Sequence, residues 1–268
     1  MKQILWFRRD LRVNDSAILA YAKDEVLPIF IFDKNILDKL KKDDKRVTFI
    51  YESVLKLKEN LKKLGLNLAI FYSTPKEVFQ TLKTQGFDSI LCSIDFDEYA
   101  KKRDEEIAKI IPIQTFTDSF ITHPNDCLKA DKTPYKVFTP YYNNLKFIWD
   151  SYKLEEFITN KNLKLIPFDF DYIPTLENMG FIKQTLPDFL QKSADELLED
   201  FGQKIDNYKV DRDFFDKNAT SNLAVHLRFG LISARQVFNK IKELKARTEN
   251  KEFFIRELFW REFYNYIL

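Results

Sequence analysis

The chain has 268 residues, of which 45% are apolar and 15% aromatic, so it can bury one large core or two modest ones. Charged residues make up 31% but nearly cancel to a net charge of +2, which excludes a generally basic protein that coats nucleic acid but allows a local basic patch. The two cysteines lack metal-ligand spacing and predict free thiols in a reducing compartment. No apolar run approaches the roughly 20 residues of a membrane helix. We therefore expect a soluble, cytoplasmic protein that binds no metal.

The first part of the chain alternates apolar strands with helices. Continuous apolar strands alternating with helices are typical of a parallel sheet that is covered on both faces. We therefore expect an α/β domain with a doubly wound parallel sheet over residues 1–117. The strands are predicted at Gln3–Phe7, Val26–Phe32, Leu66–Tyr72, Ser89–Ile94 and Pro112–Phe116, and the helices at Ser16–Lys23, Arg46–Leu64, Pro75–Gln85 and Glu98–Lys109.

Three arginines follow the first predicted strand: Arg8, Arg9 and Arg12. Parallel sheets bind ligands beyond the carboxyl ends of their strands, so we expect this loop to line a cleft. The alternative is a solvated loop in which the arginines pair with Asp10 and Asp15.

Residues 118–192 break the alternation, because six prolines between Pro124 and Pro187 interrupt any long element. Lys136–Pro140, followed by Tyr141–Trp149, predicts a loop that leads into a short helix. The region is rich in aromatic residues, which need burial, so we expect a structured interdomain connection.

The last part of the chain is predicted to be helical. Apolar residues recur at helical spacing in Ala194–Ile205, Ser233–Arg247 and Glu252–Ile267. We expect an all-helical domain over residues 193–268.

The segment Asn218–Arg235 contains two candidate ligand groups, the hydroxyls of Thr220 and Ser221. Hydroxyls and unpaired backbone N–H groups near a helix start form an anion site, which would suit a phosphate or a diphosphate cofactor. The alternative is an ordinary loop between two packed helices.

The final predicted helix has a polar and aromatic face. Glu257, Trp260, Arg261 and Tyr264 fall at i, i+3, i+4 and i+7 and share that face. An acid, a base and two aromatic rings can stack on a flat ring and hydrogen-bond its edge. The alternative is a Glu257–Arg261 ion pair beside partly buried aromatic rings. A different face, expected in the core, carries Ile255, Phe259 and Phe263.

Three motifs occur in a fixed order along the chain: W-F-R-R-D-L-R at Trp6–Arg12, T-S-x-L-x-x-x-L-R-F-G at Thr220–Gly230 and E-L-x-W-R-E-F-Y at Glu257–Tyr264. Together they resemble the photolyase/cryptochrome family, the light-driven flavoproteins that repair pyrimidine dimers, and the resemblance covers all 268 residues. It implies an antenna domain followed by a helical FAD-binding domain. Family members continue past the last motif, so we expect that helical domain to be incomplete here.

The resemblance also implies which residues contact the cofactor. The family's T-S-R-L-S becomes T-S-N-L-A here, which removes a guanidinium and a hydroxyl near the phosphates and predicts weaker flavin affinity. The implied FAD contacts are Tyr208, Thr220, Ser221, Asn222, Leu223 and Arg261, of which Arg261 lies between flavin and substrate.

A substrate role is implied for three further positions. Glu257 and Trp260 match residues that face the flipped dimer, and Arg212 matches an arginine on the DNA-backbone side. The implied activity is that of a deoxyribodipyrimidine photolyase: an electron from excited reduced FAD splits cyclobutane pyrimidine dimers in damaged DNA. Such a protein, at full length, is expected to be a monomer.

Tyr99 and Ala100 bear on the antenna, because folate-type family members place an Asn-Glu pair at this position. A methyl group cannot accept the hydrogen bonds of a pterin, so we expect no folate, and a second chromophore of unknown type.

Two alternatives to a repair enzyme stay open. One is a cryptochrome-type blue-light sensor; the other is a truncated, non-enzymatic homologue that does not hold flavin.

Overall fold

The computed structural model describes residues 1–267, and the chain divides into two compact units. Unit 1 comprises Met1–Asp118, Phe157–Gln191 and Phe229–Leu231. Unit 2 comprises Ser119–Glu156, Lys192–Arg228 and the residues from Ile232 onward. Residues 118–192 therefore contribute to both units, and the predicted division at residues 117 and 193 stays a prediction.

Unit 1 is built on a parallel sheet with the strand order β3-β2-β1-β4-β5. All five predicted strands are present, which confirms the predicted doubly wound parallel sheet. The predicted strand at Leu66–Tyr72 begins only at Ala69, because the N–H of Leu68 donates to the side-chain oxygen of Asn67 (2.9 Å). The strands are β1 (Lys2–Phe7), β2 (Glu25–Asp33), β3 (Ala69–Ser73), β4 (Ser89–Ser93), β5 (Ile113–Phe116) and β6 (Lys164–Leu165), the last of which was not predicted and pairs in parallel with the start of β2.

A helix lies in each segment of residues 1–267 that was predicted to be helical. Thr74 and Glu77 form a reciprocal capping box at the start of α4. In chain order the helices are α1 (Ala17–Tyr21), α2 (Lys34–Leu37), α3 (Lys45–Lys63), α4 (Pro75–Thr84), α5 (Glu98–Ala108), α6 (Phe138–Asn144), α7 (Lys146–Asp150), α8 (Asp188–Gln191), α9 (Ala194–Gly202), α10 (Tyr208–Asp211), α11 (Ala224–Phe229), α12 (Ala234–Glu243) and α13 (Thr248–Tyr266).

The core of unit 1 lies on both faces of the sheet. Along β1, Ile4 and Trp6 pack in one buried cluster while Leu5 and Phe7 pack in another. Successive side chains of a strand point to opposite faces, so burial of all four means that both faces are covered. This arrangement explains why the strand reads as a continuous apolar run.

Unit 2 is helical, and the described residues from 193 onward contain no strand, as predicted. Helix α13 begins one turn before the predicted start, at Thr248. The predicted helix Tyr141–Trp149 is instead two short helices, α6 and α7. Fully buried rings centre the core of this unit: Tyr141, Phe201, Phe238 and Phe259.

Candidate functional site

Helix α13 has the two faces that the sequence predicts. Ile255, Phe259 and Phe263 are almost completely buried. Glu257 and Trp260 are only partly buried, as is Arg261, and Tyr264 is exposed. Tyr264 is therefore open at the surface of unit 2, and the acid, the indole and the base are each partly accessible there.

Glu257 forms an ion pair with Arg212, which lies just beyond α10. Glu257 Oε1 is 2.5 Å from Arg212 Nη1, and the two side chains are 35% and 27% exposed. The guanidinium also lies over the rings of Tyr208 (5.5 Å) and Phe253 (5.9 Å). Hydrogen bonding to Glu257 raises the pKa of Arg212 above its ordinary value. Three predicted site residues, Tyr208, Arg212 and Glu257, are thus brought together.

Trp260 stacks on the ring of Phe138, which was not among the predicted site residues. Its ring centroid is 3.6 Å from that of Phe138 with 9° between the planes, and Tyr264 stacks on it at 5.5 Å. The guanidinium of Arg256 lies 5.3 Å from the centroid of Phe138. Phe138 belongs to the K-V-F-T-P segment, whose aromatic content predicted burial but not this partner. The stack fixes the plane of the indole.

Arg261 is engaged by the backbone of unit 2. Its Nη1 donates to the carbonyl of Ser119 (2.9 Å) and its Nη2 to the carbonyl of Leu227 (3.3 Å), while the guanidinium lies 4.7 Å from the ring centroid of Phe120. These contacts position Ser119 and Leu227 against α13. The flavin role of Arg261 stays a prediction.

Glu262 is a buried carboxylate on α13 that the sequence analysis missed. It accepts hydrogen bonds from the N–H of Ile121 (2.7 Å) and from the N–H and hydroxyl of Thr122 (both 3.0 Å). Burial raises its pKa above the usual range. The signal was present in the sequence, because Glu262 shares the apolar stripe of Ile255 and Phe259, where an acid needs such partners.

The segment before α11 carries the predicted phosphate ligands. Thr220 is exposed, and Ser221 and Asn222 are partly buried. The hydroxyl of Ser221 accepts the N–H of Leu223 (3.4 Å), and Asn222 takes a left-handed backbone conformation (φ 56°), which asparagine tolerates better than most residues. These accessible neutral donors fit a diphosphate group. Tyr208, in contrast, packs against Phe201 and Phe254 in the core.

In unit 1, the arginines after β1 do not pair as the solvated-loop alternative predicted. Arg8 makes two bonds to Asp104 (2.7 and 2.8 Å), and Arg12 pairs with Asp118. Both guanidiniums are almost completely buried, and a buried cation requires a nearby carboxylate, which distant elements supply. Arg9, which is more exposed, bonds Asp95 and Asp97 (2.8 and 3.0 Å).

The same loop explains the L-R-F-G motif. The N–H of Leu11 donates to the carbonyl of Phe229 (3.1 Å), and Arg12 Nη1 donates to the carbonyl of Gly230 (3.2 Å). Gly230 has φ 67°, and a Cβ there would lie 2.0 Å from the carbonyl oxygen of Arg9. The last two residues of the second motif, Phe229 and Gly230, thus contact the first motif within unit 1 and stabilise its fold.

Tyr99 lies at the position where folate-type family members have an Asn-Glu pair. Its hydroxyl donates to Asp33 Oδ2 (2.5 Å), and burial followed by this bond raises the pKa of Tyr99 to about 12. Ala100 is buried, and its N–H donates to Asp97 Oδ1 (2.8 Å). The groups at this position are therefore committed to the protein itself.

Among residues 1–267, no cluster of three or more His, Cys, Asp or Glu side chains has metal-binding geometry. Within that range, no helix is both long enough and apolar enough to cross a membrane. Cys92 and Cys127 are free thiols and are buried.

The family model for DNA photolyase matches residues 3–158. The chain belongs to the photolyase/cryptochrome family. It is 30% identical to the deoxyribodipyrimidine photo-lyase of Alkalihalophilus pseudofirmus, an alignment that covers 98% of this chain and 58% of that protein. It is 26% identical to the deoxyribodipyrimidine photo-lyase of Buchnera aphidicola, covering 99% of this chain and 60% of that protein.

Solved structures of the family share the fold. The archaeal photolyase of Sulfolobus tokodaii, whose structure contains two FAD molecules, superposes with a TM-score of 0.79 at 26% identity over 99% of this chain and 59% of that one. The cryptochrome of Synechocystis superposes with a TM-score of 0.82 at 18% identity over 100% of this chain and 61% of that one, which shows the fold alone. This photolyase-family chain thus spans about three fifths of the length of these relatives.

Proposed function

We propose that this chain acts in the light-driven repair of DNA, splitting cyclobutane pyrimidine dimers with FAD as cofactor. The observation that carries the proposal is the exposed face of α13, where Glu257 and Arg212 are paired one helical turn from the fixed indole of Trp260. Relatives that align with nearly the whole chain are deoxyribodipyrimidine photo-lyases, which supports this reading of the face.

The residues of this face suit an extruded lesion. A dimer stacks poorly, so it leaves the duplex at lower cost than normal bases, and photolyases as a class act on such flipped nucleotides. In our proposal the flipped dimer stacks on the side of the Trp260 indole that Phe138 does not cover, where the exposed ring of Tyr264 gives way, and a carboxylate oxygen of Glu257 accepts hydrogen bonds from the edge of the dimer. Arg212 provides a cation for a strand phosphate.

The cofactor residues are proposed because their hydrogen-bond donors suit the phosphates of FAD. The hydroxyls of Thr220 and Ser221, the side chain of Asn222 and the backbone at Leu223 would hold the phosphates of FAD. Arg261 and Tyr208 support the surrounding backbone and core. When bound, FAD would supply the photoexcited electron that opens the cyclobutane ring and then returns to the flavin, and the protein would position the lesion. In unit 1 we propose a light-harvesting chromophore other than folate.

The test is a repair assay with excess reduced FAD. A dimer-bearing oligonucleotide is incubated with the purified chain under blue light, and monomer recovery is followed by the rise in absorbance of the restored bases. We expect light-dependent recovery that stops in the dark and without FAD. Dimer binding with flavin bound but no recovery in light would contradict repair and favour a light sensor.

A further inference from the structure

Two groups that were predicted to contact DNA separately contact each other. Arg212 Nη1 and Glu257 Oε1 are 2.5 Å apart, so in the free chain the charge of each group is neutralised by the other. Both side chains are about one third exposed, which lets a solute reach them. If Arg212 binds a phosphate and Glu257 binds a base, the ion pair between them must break or rearrange.

The guanidinium of Arg212 is placed so that it can change partner without moving far. Its guanidinium carbon lies 5.5 Å from the ring centroid of Tyr208 and 5.9 Å from that of Phe253, and these contacts support the group on one side. Besides the pair with Glu257, the guanidinium has a 3.6 Å approach of Nε to the exposed Asp213 carboxylate, so its planar fork keeps donors for another anion. A phosphate offers the same bidentate geometry as a carboxylate.

We propose that a DNA phosphate displaces Glu257 from Arg212, so that strand binding itself releases the Glu257 carboxylate to accept hydrogen bonds from the substrate base. This exchange rests on the proposed function of the α13 face and adds its regulation. Without DNA, the ion pair keeps the Glu257 carboxylate neutralised. When DNA is bound, the contact between Arg212 and a DNA phosphate frees the Glu257 carboxylate to accept hydrogen bonds from the base.

The exchange has an unusual consequence, because Glu257 competes with DNA for Arg212. Removing the carboxylate should strengthen, rather than weaken, binding of an undamaged strand. A partly exposed ion pair contributes only modestly to the free energy, so the expected gain in affinity is about three- to fivefold. The gain must depend on Arg212, since that is the group which is released.

The experiment measures the affinity of a fluorescein-labelled single-stranded oligothymidylate in the dark, without flavin, at fixed low salt. The variants are Glu257→Gln, Arg212→Gln and the double substitution. Glu243→Gln, which removes an exposed carboxylate on α12, is the control for net charge. We expect Glu257→Gln to bind about three- to fivefold more tightly than the control, and to lose this gain in the Arg212→Gln background.

A second measurement uses the unsubstituted chain, so it does not depend on the folding of a variant. The ¹³C carboxyl resonance of Glu257, identified by its loss in Glu257→Gln, should move when the oligothymidylate is added. No gain over Glu243→Gln, a gain that persists without Arg212, or a carboxyl resonance that stays in place under saturating DNA would overturn the exchange. Failure of dimer splitting would leave these dark measurements unaffected, so the two proposals fail separately.

Discussion

Replacing Gly230 by alanine should destabilise this chain far more than the same change at other glycines with positive φ. Gly230 has φ 67°, and a Cβ there would lie 2.0 Å from the Arg9 carbonyl oxygen and 2.6 Å from the Asp10 Cα. Both neighbours are backbone atoms that cannot rotate away. The chain must therefore move at this point, and the contact with the Arg8–Arg12 loop opens.

The magnitude follows from what the movement breaks. A left-handed alanine costs about 1–2 kcal/mol in backbone strain. The Leu11 N–H to Phe229 bond (3.1 Å) contributes about 1 kcal/mol, and the bond from the buried Arg12 guanidinium to the Gly230 carbonyl (3.2 Å) about 1.5–3 kcal/mol, since its donor is charged. Together these contributions come to about 3.5–6 kcal/mol, so we expect a total loss of about 5 kcal/mol.

Two glycines provide matched controls. Gly65 and Gly86 have φ 74° and 81°, and a Cβ at either would meet nothing within 4 Å. Alanine at these positions carries the backbone strain alone, about 1–2 kcal/mol. The assay is urea unfolding followed by circular dichroism, with the free energy of unfolding compared among the three variants. Equal losses at Gly230 and Gly65 would refute the close backbone approach.

Two further predictions concern unit 1. Burial, and then the charge of Asp118, raises the pKa of Asp10 from 3.8 to about 6, so the folded state binds the proton more tightly and stability falls as pH rises from about 4 to about 6. Between pH 4.5 and pH 7 this decline amounts to about 2 kcal/mol and should be absent in Asp10→Asn; urea unfolding at the two pH values measures it, and an equal decline in both proteins would argue against it. Because Tyr99 and Ala100 are committed to Asp33 and Asp97, calorimetric titration with a reduced folate should show no submicromolar binding, and a tight stoichiometric complex would show this to be wrong.

The sequence predicted the elements of this fold better than their short or irregular parts. Apolar runs and helical spacing located the five main strands and the long helices, because these features are local. Helix α2 (Lys34–Leu37) and strand β6 (Lys164–Leu165) were missed. Each contains four residues or fewer, which is too short for a periodic pattern to be recognised.

The partners of the charged residues could not be predicted, because they are distant in sequence. The only partners that the sequence offered for Arg8 were in its own loop, as the solvated-loop alternative, but its partner Asp104 is 96 positions away. Glu257 was placed on the correct face of α13, yet its partner Arg212 is 45 positions away. Helical spacing shows which residues share a face, but only the folded chain shows which faces meet.

Substitution of Trp260 tests most directly whether the exposed face of α13 recognises pyrimidine dimers. The measurement is the ratio of affinities for a dimer-bearing and an undamaged oligonucleotide, in the unsubstituted chain and in Trp260→Ala. Tyr152→Ala, at an 85% exposed ring elsewhere in unit 2, is the control for loss of a surface aromatic, and urea unfolding of each variant checks that the fold persists. Stacking on a base is worth roughly 1–3 kcal/mol, so we predict that Trp260→Ala loses about tenfold or more of the preference for the dimer while Tyr152→Ala keeps it. An undiminished preference in a folded Trp260→Ala chain, or no preference in the unsubstituted chain, would contradict the account.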